Sequence, residues 1–383
     1  MMHFFSEPDR QRGVSLVELM VALVLGLLVT AGVLQLFAGQ KMTYMNNEGL
    51  ARVQENGRFA IETLKREVRA VGANGFCAAR TNINNHLRED CAGYVDAIFD
   101  PNQSFTGWEF DGTGRNEDYT LDVIETADSG DWGSLVDGVV IDLPDILEDR
   151  VVKGSDVLVI RSLEVIPGLT AKNNNKANSS SIVLEGDSLV GKNAIVLVTN
   201  CSKSDLFQNR TNENSSSFSA GTGNCASPGP GNNNKVNFST AYDDSMQVFR
   251  VRVMAYYIGI NQDTGQPGLY RADMSLGTEN PVHEELAEGI ESLQVLYGYS
   301  LPANQGGDGQ SVDFWVPGDE VPDWAMVIGI RMSLLVRSPD LAGGAPVQQV
   351  FDLSGTRITN PSDNRMRRPF LATVSLRNRQ ITL

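Results

Sequence analysis

The sequence predicts an α+β protein in which a long amino-terminal helix carries a β-rich head of antiparallel sheets. The chain has 383 residues, which is enough for a sizeable core. Apolar residues recur with helical spacing from the first apolar run to about residue 71. From Phe76 onward, short β-branched segments follow one another without long intervening helices. This pattern favours antiparallel sheets over βαβ units.

The first element is a helix long enough to cross a membrane. Two arginines, Arg10 and Arg12, lie near the end of polar residues 1–13, and an apolar run follows over residues 14–38. Glu18 is the only charged residue in that run, which contains no proline. About 20 apolar residues suffice to span a bilayer. The positive-inside tendency places the start of the chain in the cytoplasm and the rest outside it.

Two other interpretations of this segment fit less well. A secretory signal peptide would end with small residues at a cleavage site after the run, but Gly39-Gln40-Lys41 follows. A plain signal anchor explains the hydrophobicity and leaves Glu18 unexplained. A carboxylate so close to the start of a spanning helix is costly unless it is paired. We therefore expect a partner for Glu18.

The helical pattern continues beyond the membrane as an amphipathic half over residues 39–75. A near-continuous helix over residues 14–71 would be about 85 Å long at 1.5 Å per residue. The alternative is a membrane helix and a separate soluble helix, with a break near Gly39 or Gly49. The positions of the predicted apolar stripe are Leu50, Val53, Gly57, Ile61, Leu64, Val68 and Val71.

The head is predicted over residues 76–383. A helical turn is predicted at 284–289, just before a strand at 290–299. Asn-, Ser- and Gly-rich stretches predict loops at 172–181, 208–237 and 302–309. The other predicted strands are 136–143, 156–162, 181–185, 194–200, 247–260, 326–337 and 370–378.

The four cysteines indicate disulfides. Cys77 and Cys91 form one local pair in the sequence, and Cys201 and Cys225 form another. Each pair would close a modest loop, which suits two disulfides in an oxidising compartment, and local pairing is the favoured connectivity. A bond between Cys201 and Cys225 would tether the predicted loop at 208–237. The alternatives are four unpaired buried thiols and a four-thiolate zinc site, although the short C-x₂₋₄-C spacing of zinc sites is absent.

Composition argues against nucleic-acid binding over a broad face. The formal net charge is −16, and neutralising phosphates requires clustered Lys and Arg. Arg365, Arg367 and Arg368 form a local basic cluster, which we interpret as solvated charge on a loop.

No catalytic or metal-binding motif is found, and no cofactor is predicted. His86 and His283 are isolated from metal-ligand spacing, so we expect ordinary surface residues. The acidic segment 111–118 superficially suggests calcium. However, Arg115 stands where an oxygen ligand would be needed, and the spacing is not that of an EF-hand.

The start of the chain resembles the prepilin processing motif. The residues that carry the resemblance are Arg12-Gly13-Val14-Ser15-Leu16-Val17-Glu18-Leu19. The resemblance implies that a membrane prepilin peptidase cuts after Gly13 on the cytoplasmic face and that the new amine of Val14 is methylated. Glu18 would then lie one helical turn from a free α-amine, which suits two charges that relieve each other's desolvation. In the family this pairing helps to register an incoming subunit against its neighbour.

The sequence departs from the family at two places. Phenylalanine usually opens the mature chain, and Val14 stands there instead, which puts methylation in more doubt than cleavage. Major pilins also often have a proline in this helix, and this chain has none.

Three further segments resemble the PilW-like minor pilins: residues 51–60, 288–298 and 370–378. The resemblance covers roughly the first 75 and the last 140 residues. It implies a pilin lollipop fold and a low-copy subunit that primes assembly of a type IV pilus, supporting twitching motility and adhesion. A place at the pilus tip, beneath a large adhesin, is the further expectation. The implied partners are other minor pilins, the major pilin and the prepilin peptidase. The implied location is the inner membrane with a periplasmic head, and then the pilus.

Two other functions remain open from the sequence. A pseudopilin of a type II secretion system shares the leader, the helix and the head, and loss of a pseudopilin would block protein export rather than pilus formation. A membrane-tethered periplasmic binding domain or enzyme would require a convergent polar site in the head.

Overall fold

The computed structural model of the protein describes residues 13–71, 83–100, 103–122, 124–221, 223, 225, 227, 229–341 and 346–376. Its helices are α1, Leu16–Ala70, and the single turn α2, Asp96–Phe99. Short 3₁₀ turns occur at Ser129–Asp131, Asp145–Leu147, Ala303–Gln305, Gly318–Glu320 and Trp324–Met326. The strands, in chain order, are β1 Ile83–Asn85, β2 Phe105–Phe110, β3 Asp118–Thr120, β4 Trp132–Val136, β5 Val139–Ile141, β6 Val157–Val165, β7 Ser181–Val183, β8 Ile195–Thr199, β9 Ser204–Gln208, β10 Ser217–Ser219, β11 Gln247–Ile260, β12 Pro267–Asp273, β13 Val282–Glu288, β14 Ile290–Tyr299, β15 Phe314–Val316, β16 Val327–Arg337, β17 Val350–Leu353, β18 Thr356–Thr359 and β19 Arg367–Ser375.

The amino-terminal helix is continuous. It runs for 55 residues without a break at Gly39 or Gly49, so the prediction of one near-continuous helix is confirmed. At 1.5 Å per residue, this length corresponds to roughly 80 Å. Only the second half packs on the head, because the first buried residue in α1 is Gly49.

The head is built on four sheets of the described strands. Ten strands form the largest, in the order β1-β9-β8-β11-β6-β2-β4-β5, with β12 and β13 attached beside β11. A four-stranded sheet has the order β15-β14-β16-β19, and smaller sheets contain β17-β18-β3 and β10-β7. All described pairs are antiparallel except β1 with β9 and β3 with β18. The predicted class, a long helix with a β-rich head, is confirmed.

Strand β11 joins two parts of the large sheet. One of its edges pairs with β6 along Phe249–Tyr256. Its other edge pairs first with β8, along Gln247–Arg250, and then with β12, along Met254–Ile260. A strand of 14 residues is long enough to present one edge to two successive partners.

The predicted strands agree with the structure best where alternation is long. Strands β11 and β16 lie within one residue of the predicted bounds. The predicted strand 136–143 is instead the hairpin β4–β5, which turns at Asp137 and Gly138, both with positive φ. The predicted helical turn at 284–289 is wrong, because this segment belongs to strand β13, which pairs with β12.

Three hydrophobic clusters lie inside the described part of the head, and the smallest contains Leu335, Leu353 and Ile358. The largest one combines the buried stripe of α1 with the large and four-stranded sheets. The second lies within the middle of the chain and is built around Phe207, Phe218, Phe238 and Tyr242. The long segment predicted as a loop at 208–237 therefore contributes Phe218 and the short strand β10 to a core.

The disulfide connectivity is not local. Cys91 and Cys225 form a disulfide with Cα atoms 5.4 Å apart and a sequence separation of 134. Cys201 is disulfide-bonded as well, and Cys77 lies outside the described residues. The prediction of a disulfide is therefore confirmed for Cys91 and Cys225, whereas the favoured pairing of neighbours in sequence is wrong.

The long-range disulfide follows from how the chain returns. Leu87 and Asn232 form an antiparallel bridge, and the N–H of Asn233 donates to the carbonyl of His86 at 2.8 Å. These contacts bring the segment around Cys225 alongside the segment around Cys91. In the chain-entropy model, closing so long a loop stabilises the fold by about 4–5 kcal/mol.

Candidate assembly site at the amino end of the helix

Helix α1 begins with a reciprocal cap formed by Ser15 and Glu18. Ser15 has an extended backbone, and its hydroxyl oxygen accepts a hydrogen bond from the N–H of Glu18 at 3.2 Å. The carboxylate of Glu18 in turn accepts from the N–H of Ser15, also at 3.2 Å. This capping box satisfies two N–H groups that a helix start leaves without partners.

The cap points the carboxylate of Glu18 towards the amino end of the helix. Ser15 directly follows Val14, so the carboxylate lies next to the residue that would carry a new α-amine after cleavage behind Gly13. An acidic group at this end is also stabilised by the helix dipole. Gly13, Val14 and Glu18, predicted as processing and assembly residues, thus share one helix end.

The helix above this cap presents apolar side chains to its surroundings. Every described residue from Gly13 to Met45 is exposed. An 18-residue window of α1 has a mean hydropathy of 2.5 with none of it buried in the protein, so the helix is long and apolar enough to cross a membrane. Apolar residues outside the protein's own core need lipid or another protein to cover them.

The second half of α1 is seated on the head through two glycines. A side chain at Gly49 would come within 2.8 Å of the Met366 methyl group, and one at Gly57 would overlap the ring of Phe370. The amide of Asn56 adds a hydrogen bond to the carbonyl of Glu288 at 3.1 Å. The predicted stripe from Val53 onward is buried as expected, and Leu50 is half-buried at its upper end.

A buried network of ion pairs lies next to the residues that contact the helix. Glu291 on β14 accepts from Arg367 on β19, through Nε at 2.6 Å and Nη2 at 2.9 Å. The same carboxylate accepts from Arg337 Nη1 on β16 at 3.0 Å. Arg367 also makes two hydrogen bonds to Asp363, at 2.5 and 2.8 Å. The network ties three strands of the four-stranded sheet together next to Met366.

Burial and neighbouring charges shift the pKa values of three side chains in this network. Burial by itself would lower the pKa of Arg367, but the hydrogen bonds with Asp363 and Glu291 outweigh it and raise the pKa. Burial would raise the pKa of Asp363, but its hydrogen bond with Arg367 lowers it overall. Burial lowers the pKa of Arg337, with Glu291 opposing the shift. The hydrogen bonds between Arg367 and Asp363 therefore favour the charged form of both side chains.

The basic cluster at Arg365, Arg367 and Arg368 is not solvated loop charge, as the sequence suggested. Arg367 lies in β19 with its side chain buried. The guanidinium of Arg365 donates to the carbonyls of Ser338 and Pro339. Only Arg368 of the three is exposed. A run of arginines is indistinguishable from solvated charge until the acidic partners from distant strands are known.

The two histidines of the head are not surface residues either. His86 is buried, with Nε2 lying 2.7 Å from Asp205 Oδ1. Burial would raise the pKa of Asp205, but hydrogen bonds from His86, Ser239 and Tyr242 lower it to about 2. His283 is half-buried, and burial lowers its pKa to about 4, with Arg150 adding to the shift. Both histidines belong to structural contacts within the head.

Several residues that matter here were missed by sequence reasoning. Ser15 could have been found, because Ser-x-x-Glu at a helix start is the signature of a capping box. Gly49 and Glu291 gave no local signal, since their partners are distant in sequence. Within the part of the chain that the structure describes, no group of three His, Cys, Asp or Glu side chains could hold a metal ion.

Comparison with known families agrees with this geometry. The model of the prokaryotic N-terminal methylation motif matches residues 8–34. The model of type IV pilus-assembly protein W matches residues 255–378, the segment that runs from β11 to β19. No curated protein and no solved structure matches the chain.

The matched amino-terminal motif on a long helix with a β-rich head makes the chain similar to type IV prepilins. Over residues 255–378 it is similar to type IV pilus-assembly protein W, and the two matches together support a PilW-like minor pilin. The resemblance expected from the sequence is thereby confirmed in its leader and in its carboxyl-terminal third. Similarity to this family suggests contact with other pilus components, and the apolar helix with its prepilin motif fits anchoring in the inner membrane and then in the pilus.

Proposed function

We propose that this protein is a structural subunit that helps to initiate assembly of a type IV pilus. The leader 1–13 is removed after Gly13, residues 14–38 anchor the chain, and the amphipathic half 39–75 holds the head, 76–383, outside the inner membrane. The subunit then joins other minor pilins, and its head lies at the pilus tip, where it supports twitching motility and adhesion. Pilin families are structural rather than catalytic, so no reaction is proposed.

The observation that supports this proposal most directly is the amino end of α1. A 55-residue helix leaves its apolar half without a partner inside the protein and directs the carboxylate of Glu18 to the future amino terminus. In an assembled filament, we expect Glu18 to pair with the free α-amine of Val14, either within one subunit or between neighbours. Such a pair offsets the cost of placing each charge in an apolar environment.

The central experiment replaces Glu18 in cells that lack the native copy of the protein. We expect Glu18→Ala to be cut after Gly13 and to stay in the inner membrane, with a large loss from sheared pili. The matched control is Glu55→Ala, which removes an exposed carboxylate from the other half of the same helix. Mass spectrometry of the mature amino terminus and immunoblots of membrane and pilus fractions provide the measurements.

The possible results separate the competing functions. An intact Met1 terminus, or a cut after the apolar run, would contradict the prepilin processing. Normal entry of Glu18→Ala into pili would contradict the proposed pairing. If deletion of the protein blocks protein export and leaves surface pili intact, the chain is a pseudopilin of a type II secretion system rather than a pilus subunit.

A further inference from the structure

Two carboxyl groups meet inside the head, away from the amino-terminal site. Glu109 on β2 is 6% exposed, and Asp156, just before β6, is 2% exposed. Their side chains are hydrogen-bonded to each other, and Glu109 also accepts from the hydroxyl of Thr113 at 3.2 Å. Two carboxylates in such contact cannot both be charged without strong repulsion, so the pair keeps at least one proton.

Asp156 connects two sheets through its carboxyl oxygens. Oδ1 accepts from the N–H of Phe110 on β2 at 3.3 Å, and Oδ2 accepts from the N–H of Val295 on β14 at 2.7 Å. The backbone N–H of Asp156 donates to the carbonyl of Leu293 at 2.8 Å. Strand β2 belongs to the ten-stranded sheet and β14 to the four-stranded sheet. This one side chain therefore bridges the two sheets.

The elements packed against the pair bring further acidity. Asp319, in the 3₁₀ turn Gly318–Glu320, acts on both carboxyls, and burial raises its own pKa, with Glu320 contributing. The hydroxyl of Tyr297 on β14 is buried and has no hydrogen-bond partner among the described residues. Burial, then Asp156 and Glu109, raise the pKa of Tyr297.

Glu109 and Asp319 also line a cleft of about 440 Å³ between the β2–β3 loop and β15. The charged side chains on its rim are Asp111, Arg115, Glu117 and Glu320. Arg115 is the one cation among these lining residues, so the excess charge around the pair is negative.

We propose that Glu109 and Asp156 form a carboxyl clasp, in which the protons that the buried pair retains hold the large sheet and the four-stranded sheet together, and that loss of these protons in alkaline surroundings loosens the head. While the pair keeps a proton, one carboxyl can donate a hydrogen bond to the other, and Asp156 stays anchored on two backbone N–H groups. Deprotonated, the pair becomes two buried like charges with Asp319 beside them.

The direction of the pH effect follows from the two states. An unfolded carboxyl has a pKa near 4. Burial raises the pKa of Asp156 to about 8, and burial together with Asp156 and Asp319 raises the pKa of Glu109 well above its usual range. Between these values the folded chain keeps a proton that the unfolded chain releases. The clasp's contribution to stability is thus complete below about pH 4. The part that depends on Asp156 is lost as the pH rises through about 8, and the part that depends on Glu109 is lost at higher pH.

The test is thermal unfolding of the full chain in detergent micelles between about pH 6.5 and about pH 8. Trp132 reports on the clasp, because its ring N–H donates to the carbonyl of Ser155 at 2.8 Å. In the unmodified protein we expect the unfolding equilibrium constant to rise by up to about tenfold per pH unit for each proton retained. The double variant Glu109→Gln with Asp156→Asn keeps the shapes, removes both titrating groups and should lose this slope.

Glu117→Gln is the matched control. It neutralises a carboxylate on the rim of the same cleft and should leave the slope unchanged. A flat profile in the unmodified protein, or a double variant that keeps its slope, would overturn the proposal. If the double variant does not fold, infrared spectroscopy of the unmodified chain decides. A protonated carboxyl C=O band that is present near neutral pH and weakens by about pH 9 supports the clasp, and its absence near neutral pH refutes it.

Discussion

The two halves of the amino-terminal helix differ in their surroundings. The free half, residues 16–45, is exposed, whereas the docked half, residues 49–70, packs on the head. A Cβ added at Gly26, Gly32 or Gly39 would meet no atom of the described residues within 4 Å beyond the helix's own nearby backbone. At Gly49 and Gly57, by contrast, it would meet the side chains of Met366 and Phe370. The free half is complete only when something outside the protein covers it, whereas the docked half is already part of the folded head.

This contrast shows how one helix can be exposed and apolar in one half and pack on the head with the other half. In the docked half, small residues let strand β19 approach closely, and Asn56 fixes the helix to β13 through the carbonyl of Glu288. The free half begins with the capping box of Ser15 and Glu18, at the amino end of the helix. Changes in the docked half should therefore alter stability, and changes in the free half should alter assembly.

The largest expected effect comes from breaking the ion network behind the docked half. Arg367→Met would leave Glu291 and Asp363 without their strongest partner, and breaking a buried pair typically costs about 3–5 kcal/mol. Denaturant unfolding of the full chain in detergent, followed by tryptophan fluorescence, measures the loss. Arg368→Met is the matched control, because it removes an exposed arginine from the neighbouring position of β19 and should cost little. Equal losses for both variants would refute a special role for the network.

A smaller effect is expected from filling the helix seat. Gly57→Leu would force its side chain against the ring of Phe370, and overpacking of this kind costs about 1–3 kcal/mol. Gly39→Leu places the same side chain where nothing lies within 4 Å, so the unfolding free energy of the head should not fall. Limited proteolysis near residue 72, together with denaturant unfolding, measures the loosening of the docked half. Loss of stability in Gly39→Leu but not in Gly57→Leu would reverse the contrast between the two halves.

Sequence reasoning succeeded where the signal was local and repeated. The stripe of α1 and the alternation in β11 and β16 extend over many residues, so each position supports the same prediction. The leader motif is also a short contiguous pattern, and the match over residues 8–34 confirms that resemblance, while the roles of Gly13, Val14 and Glu18 stay predictions. Periodicity of this kind is a reliable signal because it reflects which face of the helix or strand is buried.

Sequence reasoning failed where contacts between distant segments decide the local structure or the bonding partner. The helix-forming residues of 284–289 lie in a strand because β12 supplies the hydrogen bonds and Arg271 pairs with Glu284 at 2.6 Å. The pairing of Cys91 with Cys225 and that of Glu291 with Arg367 join residues that are 134 and 76 positions apart. Proximity in sequence carries no information about such contacts.

The smallest effect, and the sharpest test of the free half, lies at its cap. Ser15→Ala removes the oxygen that accepts the N–H of Glu18, and losing such a cap costs about 1 kcal/mol at the helix end. We expect faster amide exchange in the first turn of α1, near Leu19, and an unchanged unfolding free energy of the head. Thr30→Ala is the control, because its hydroxyl donates to the carbonyl of Gly26 within the helix and caps nothing. Hydrogen exchange of the full chain in micelles, read by mass spectrometry, measures both variants. The loss of one cap should act locally, because more than 30 residues of helix separate Ser15 from the docked half, which has its own contacts with the head. Faster exchange that extended to the docked half would therefore contradict the independence of the two halves.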